Sequence, residues 1–158
     1  MPQNKKILLF DDDYASMSPL KQYLERAIGF QVALTAHKQL PKRLAQERFD
    51  LVCVDLMIHP TSLDANNDEI ENIHFEGINW QKTGLEFLKR LRRGEFHQED
   101  GVSTSPDVPV IVLSAVANYS VEDELDQDIF VNAYIEKPFA LEEITKLIRK
   151  CLQEYDSP

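Results

Sequence analysis

Residues 6–13 read Lys6-Ile7-Leu8-Leu9-Phe10-Asp11-Asp12-Asp13, an apolar run that passes without interruption into three acids. An unbroken apolar run of this length fits a strand covered on both faces, as in a parallel sheet. The same pattern recurs outward from it. Met17, Leu20, Leu24, Ala27 and Ile28 follow at helical spacing and stop at Gly29. Phe30 to Thr35 reads as a second strand, and Leu40, Leu44 and Ala45 mark a short helix with Pro41 in its first turn. Leu51-Val52-Cys53-Val54 is a third strand ending at Asp55, and residues 83–93 form a helix closed by Gly94. Val108 to Leu113 is a fourth strand ending at Ser114, followed by a very acidic helix candidate over 120–128. Ala133-Tyr134-Ile135 ends at Glu136-Lys137-Pro138, and Leu141, Ile144, Leu147, Ile148, Cys151, Leu152 and Tyr155 line an amphipathic last helix. Five strands alternating with five helices predict an α/β doubly wound parallel sheet with helices on both faces.

The chain has 158 residues, the size of one ordinary domain, and no linker to a second domain is visible. Lys and Arg number 17 against 27 Asp and Glu, so the net charge is 17 − 27 = −10. That sign disfavours nucleic acid and anionic membranes as partners. No apolar run approaches the ~20 residues that span a bilayer. The apolar stretch at 7–10 is too short for a signal peptide, and Cys53 and Cys151 sit far apart in apolar settings. The chain is expected to be cytoplasmic, with both thiols buried and reduced.

Ligands of open parallel sheets bind beyond the carboxyl ends of the strands. The polar residues at those ends are Asp11, Asp12 and Asp13, then Asp55, Ser114 and Lys137. Asp13 suits a helix cap, and each of the others alone would pass for a surface group. Four strand ends contributing at once are harder to dismiss. Clustered carboxylates raise one another's pKa unless a cation intervenes, and hard oxygen ligands suit Mg²⁺. A divalent ion and Lys137 would neutralise an incoming phosphoryl group, Ser114 would donate to its oxygen, and one carboxylate would be free as nucleophile. Asp55, alone on the middle strand, is the better nucleophile; Asp11 and Asp12 are the better metal holders.

The segments Ile7-Leu8-Leu9-Phe10-Asp11-Asp12-Asp13, Asp50-Leu51-Val52-Cys53-Val54-Asp55-Leu56-Met57, Pro109-Val110-Ile111-Val112-Leu113-Ser114-Ala115 and Tyr134-Ile135-Glu136-Lys137-Pro138-Phe139 together resemble the receiver domain of two-component response regulators. The resemblance implies a flavodoxin-like sheet of order 2-1-3-4-5; with no linker visible, a single receiver domain over 1–158 without an output domain is expected. It implies Asp55 as phosphoacceptor and Mg²⁺ held by Asp11, Asp12, Asp55 and the backbone carbonyl of Met57. Ser114 and Lys137 match the phosphoryl-contacting hydroxyl and lysine, the latter before a cis proline, and Ser114 with Tyr134 matches the switch pair. The expected partners are a sensor histidine kinase or phosphotransfer protein and a separate downstream target or a second copy of the chain. The surface formed by the fourth helix, fifth strand and fifth helix is expected to change on phosphorylation. The resemblance implies a phosphoacceptor signalling protein rather than an enzyme, one that assists its own phosphotransfer and dephosphorylation. Family members tune phosphoryl lifetime with side chains two residues after the acceptor and two after the hydroxyl, here Met57 and Val116, neither able to orient water.

Two departures stand out, the first being that the alanine- and glycine-rich segment usually preceding strand five is replaced by Asp126-Gln127-Asp128-Ile129-Phe130-Val131-Asn132. The glycine that usually follows the acceptor by eight residues matches Gly84, at 84 − 55 = 29, an insertion of about 29 − 8 = 21 residues. The stretch 59–82 exceeds the usual connection of a few residues. It carries Leu63, Ile70, Ile73, Phe75, Ile78 and Trp80 as well as five acids, too much apolar surface to leave in water. An ordered flap is expected, with Ile70, Ile73 and Ile78 suiting a short helix or turn, and replacing 61–80 by a short loop is expected to leave folding intact. Three other readings compete. A receiver-like adaptor would bind partners without phosphorylation. A haloacid-dehalogenase-type phosphatase would use Asp11 and Asp13 but needs a further acidic pair at a strand end, where only Glu142 and Glu143 follow. A metal site on His59 and His74 lacks a recognisable ligand spacing.

Overall fold

The computed structural model describes residues 4–64, 66–99, 101–114 and 129–156, with the backbone alone at 114 and 156. The strands are β1 (Lys6–Phe10), β2 (Gln31–Leu34), β3 (Leu51–Asp55), β4 (Thr61–Leu63), β5 (Glu69–Glu71), β6 (Val110–Ser114) and β7 (Ala133–Glu136). The helices are α1 (Tyr14–Tyr23), extended by a π-turn over Leu24–Ile28, α2 (Leu40–Gln46), α3 (Thr83–Arg92) and α4 (Leu141–Asp156). β2-β1-β3-β6-β7 form one five-stranded sheet, parallel at every pairing, which is the predicted order with the β4-β5 hairpin set apart. The helix expected over 120–128 lies outside the described residues. Among the described residues no helix is long and apolar enough to cross a membrane.

Alternation along the central strands shows why they are apolar throughout. Leu8 and Phe10 of β1 and Val52 and Val54 of β3 pack with α2 and α3, whose Leu40, Leu44, Phe87 and Leu88 are buried. Ile7, Leu9, Leu51 and Cys53 face the other way, against Met17 and Leu20 of α1 and Ile144 and Ile148 of α4. Both cysteines are free and buried. Gly29 at φ 92 ends the first helical segment and Gly94 at φ 81 ends α3, conformations that a side chain resists.

The insertion is a hairpin, not a helix. Thr61–Leu63 pairs antiparallel with Glu69–Glu71, closed by a turn in which Asp64 Oδ1 accepts from the amides of Asn66 and Asp68. Asn67 takes the left-handed region at φ 64. The chain then returns through Ile73 and Phe75, both buried in the core of the α2/α3 face, and reaches a 3₁₀ turn at Trp80–Lys82. Arg90 of α3 lies over the Phe75 ring, 4.3 Å from its centroid. Removing residues 61–80 therefore strips two side chains from the core, so the expectation that folding is indifferent to them does not hold. Ile73→Ala is expected to lower stability by about 2–5 kcal/mol. Chemical denaturation measures this, and a loss near zero would contradict the packing.

Candidate functional site

The four strand ends converge on one edge of the sheet. β1 delivers Asp11, fully buried, and Asp12, half-buried; β3 ends on Asp55, 8% exposed. β7 leads into Lys137, whose peptide with Pro138 is cis. Lys137 Nζ donates to Asp11 Oδ2 at 2.7 Å and to Asp55 Oδ2 at 3.4 Å. One oxygen each from Asp11, Asp12 and Asp55 lie within 4.8 Å of one another. Asp13 stands outside this group, and its Oδ1 caps α1 by accepting from the Ser16 amide at 3.2 Å. Met57 follows on the loop after β3, and its amide donates to Asp55 Oδ1 at 3.4 Å. Ser114 closes β6 opposite Glu136 on the same edge, though its side chain, like Val116, lies outside the described residues. Tyr134 sits one strand away in β7, half-buried against the α2/α3 core.

Gly84 explains how α3 reaches this edge. Its amide donates to the Leu56 carbonyl at 2.9 Å. A Cβ placed there would fall on the Asp55 carbonyl oxygen and 2.5 Å from Leu56 Cα. Only glycine permits the helix to begin directly behind the residue that follows β3.

Burial, then the charge of Asp11, pushes the Asp55 carboxyl up to about 7, against the pull of Lys137. Burial also raises Asp12, opposed by the His59 amide and reinforced by Asp11. Burial draws the Lys137 ammonium down, but Asp11 and Asp55 hold it above its usual value. Three carboxylates against one ammonium leave positive charge in deficit, and the donors are all hard oxygens. That set fits a small divalent cation such as Mg²⁺. Cation binding requires the ionised carboxylates, so affinity is expected to rise with pH through about 7 and then level off. Calorimetric titration with Mg²⁺ at several pH values checks this; a flat profile would contradict it.

Contacts that the sequence pattern does not mark lie beside these acids. The His59 amide donates to Asp12 Oδ2 at 2.8 Å, and the His59 ring stacks on Trp80 at 4.1 Å between centroids. The Ile58 amide donates to the Trp80 carbonyl at 3.1 Å, so the neck of the insertion is pinned beside the acids. A backbone amide carries no residue signature, and no spacing rule joins positions 59 and 80. Among the described residues the group able to hold a metal contains three acids and no histidine, and His74 is exposed. Glu142 and Glu143 lie exposed in the first turn of α4, not at a strand end.

No protein-family model matches the sequence. A transcriptional regulatory protein, CrdR of Helicobacter pylori, is 26% identical over 148 residues, which are 92% of this chain and 54% of CrdR. The chain thus spans about half the length of that curated relative. The receiver domain of Francisella response regulator 1452 superposes with a TM-score of 0.67 at 19% identity, covering 97% of this chain and all of that one. The receiver domain of the sensor histidine kinase PA1611 of Pseudomonas aeruginosa, solved with a magnesium ion coordinated in its active-site cleft, gives 0.59 at 20% identity, covering 96% and 99%. The fold is that of response regulator receiver domains.

Proposed function

We propose that this chain, built on the receiver fold, accepts a phosphoryl group on Asp55 and signals through the resulting change of surface. The observation that carries the reading is the convergence of Asp11, Asp12, Asp55 and Lys137 from three strand ends, with Lys137 bonded to two of the acids. An Asp55 carboxylate oxygen attacks the phosphorus of a phosphohistidine on a sensor kinase or phosphotransfer protein. The P–O bond forms as the P–N bond breaks, and the departing imidazole takes up a proton. Asp11, Asp12 and Asp55, with the Met57 carbonyl, would hold Mg²⁺, which when bound neutralises phosphoryl oxygens. Lys137 moves its ammonium from Asp55 to the phosphoryl oxygens, and Ser114 supplies a hydroxyl donor.

Hydrogen bonds to a charged group contribute about 1.5–3 kcal/mol each, so Ser114 and Lys137 together supply roughly 3–6 kcal/mol. Inverting a two-state equilibrium from 1:99 to 99:1 takes about 5.5 kcal/mol. Because Lys137 gives up its Asp55 contact in exchange, the two contacts supply part of that free energy and bias a switch that turns Tyr134 inward and alters the surface presented to a downstream partner. The alternative is an adaptor that binds partners without phosphorylation.

Trp80 is the sole tryptophan and stacks on His59 beside Asp12, so its emission reports on the site. Mg²⁺ with beryllofluoride, a phosphoryl mimic, is expected to shift that emission in the native chain and not in Asp55→Asn. An unchanged spectrum in both would favour the adaptor. Because neither Met57 nor Val116 can orient a water, the phosphorylated chain is expected to lose its label slowly. Met57→Asn combined with Val116→Glu should accelerate the loss in a time course; an unaltered rate would count against this.

A further inference from the structure

Asn72 is a buried polar residue of the insertion, 1% exposed, and the metal-site reading assigns it no role. Its Nδ2 donates to the His59 carbonyl at 2.7 Å and to Ser62 Oγ at 2.7 Å. Its backbone amide donates to the Pro60 carbonyl at 2.8 Å, and its neighbour Ile73 donates to the Ala36 carbonyl at 2.8 Å. Its Oδ1 accepts from the Tyr14 hydroxyl at 3.5 Å, and that hydroxyl in turn accepts from the Ala36 amide at 3.1 Å. One side chain thus ties the hairpin, the start of α1 and the loop after β2 to residue 59.

Residue 59 is held from both sides. Its carbonyl is taken by Asn72, and its amide donates to Asp12 Oδ2 at 2.8 Å. With both backbone groups engaged and the ring stacked on Trp80, His59 cannot turn without breaking one of these contacts. The amide fixes one oxygen of Asp12, a member of the acid cluster that would hold the cation. It also opposes the burial that raises the Asp12 carboxyl. The loop so held contains Met57, whose carbonyl belongs to the same proposed ligand set.

We propose that Asn72 is a positioning residue for the cation site, acting through the His59 backbone on Asp12 and on the loop that carries Met57. The insertion then builds part of the support behind the ligands rather than merely lying beside them. This inference rests on the reading of Asp11, Asp12 and Asp55 as a Mg²⁺ site. Groups that orient metal ligands from behind typically change metal affinity about 10–100-fold when removed.

Two variants separate this role from simple support of the hairpin. Asn72→Ala removes the link to His59. Ser62→Ala removes the other acceptor of the same amide and leaves the link to His59 in place. Calorimetric titration of the folded chain with Mg²⁺ is expected to show about tenfold or greater weakening in Asn72→Ala and less than about twofold in Ser62→Ala. Asn72→Leu, close in volume but without donors, takes the place of Asn72→Ala where that variant does not fold. A loss below about threefold without the Asn72 donors, or an equal loss in Ser62→Ala, overturns the proposal. Native protein that binds no Mg²⁺ overturns the metal-site reading, and this inference with it.

Discussion

Asp55→Asn is expected to abolish phosphoryl uptake and, without Mg²⁺, to make the chain more stable than the native protein near neutral pH. The first effect follows from removing the nucleophilic carboxylate, the second from the cost of holding a charged Asp55 where it is. Its carboxyl, ordinarily at 3.8, is pushed up to about 7 by burial and by Asp11. In the unfolded chain it ionises near the ordinary value, so between the two values the folded state holds more protons. The slope of unfolding free energy with pH is then negative. Below the ordinary carboxyl range both states are protonated and nothing is lost; as pH rises through about 7 the full penalty develops. Asn carries no such penalty. At about 1.4 kcal/mol per unit, its advantage should grow to roughly 2–4 kcal/mol above neutrality and vanish in acid. Thermal melts at a series of pH values in chelator measure the gap. A gap independent of pH, or native protein more stable above neutrality, would show that the acids are not in conflict.

Gly84→Ala should be the most damaging of the glycine-to-alanine changes. The new Cβ would overlap the Asp55 carbonyl oxygen and crowd Leu56 Cα, and both are backbone that cannot swing aside. Either α3 retreats, breaking the Gly84 amide bond to Leu56, or the end of β3 moves. Overpacking usually costs about 1–3 kcal/mol and this contact sits at or beyond the upper end. For a chain of this size, about 3 kcal/mol corresponds to a fall of roughly 6–12 °C in melting temperature. Mg²⁺ affinity should fall as well, because the displaced carbonyl is Asp55's own and Met57 lies two residues beyond it. A variant that melts within about 2 °C of the native chain would contradict the close approach.

The sheet was legible because its three central strands are apolar runs that stop at a polar residue. Ile7 to Phe10 and Leu51 to Val54 are fully buried because helices cover both faces, and burial on both faces is what an unbroken run records. The strand ends were legible for the same reason, since Asp11, Asp55 and Lys137 mark where apolar side chains give way to charged ones at the ligand edge. The hairpin was not. Ile70 and Ile73 are spaced as in a helix, and three-residue strands are too short to show alternation. The turn formers Asp64, Asn66, Asn67 and Asp68 between Leu63 and Glu69 were the signal that favoured a hairpin. Asn72 and the His59 amide left no trace in sequence, because one is a polar residue in a polar loop and the other is backbone. Their importance comes from the return of the insertion to Ala36 and Trp80, which only the folded chain reveals.

The account turns on Asp55 as phosphoacceptor. Mass spectrometry of the native chain after incubation with a small-molecule phosphodonor and Mg²⁺ tests that directly. The expected result is a single added phosphoryl group, mapped to the peptide containing Asp55, absent when Mg²⁺ is chelated and absent in Asp55→Asn. No added phosphoryl group, one that maps to another residue, or uptake unchanged in Asp55→Asn would contradict it.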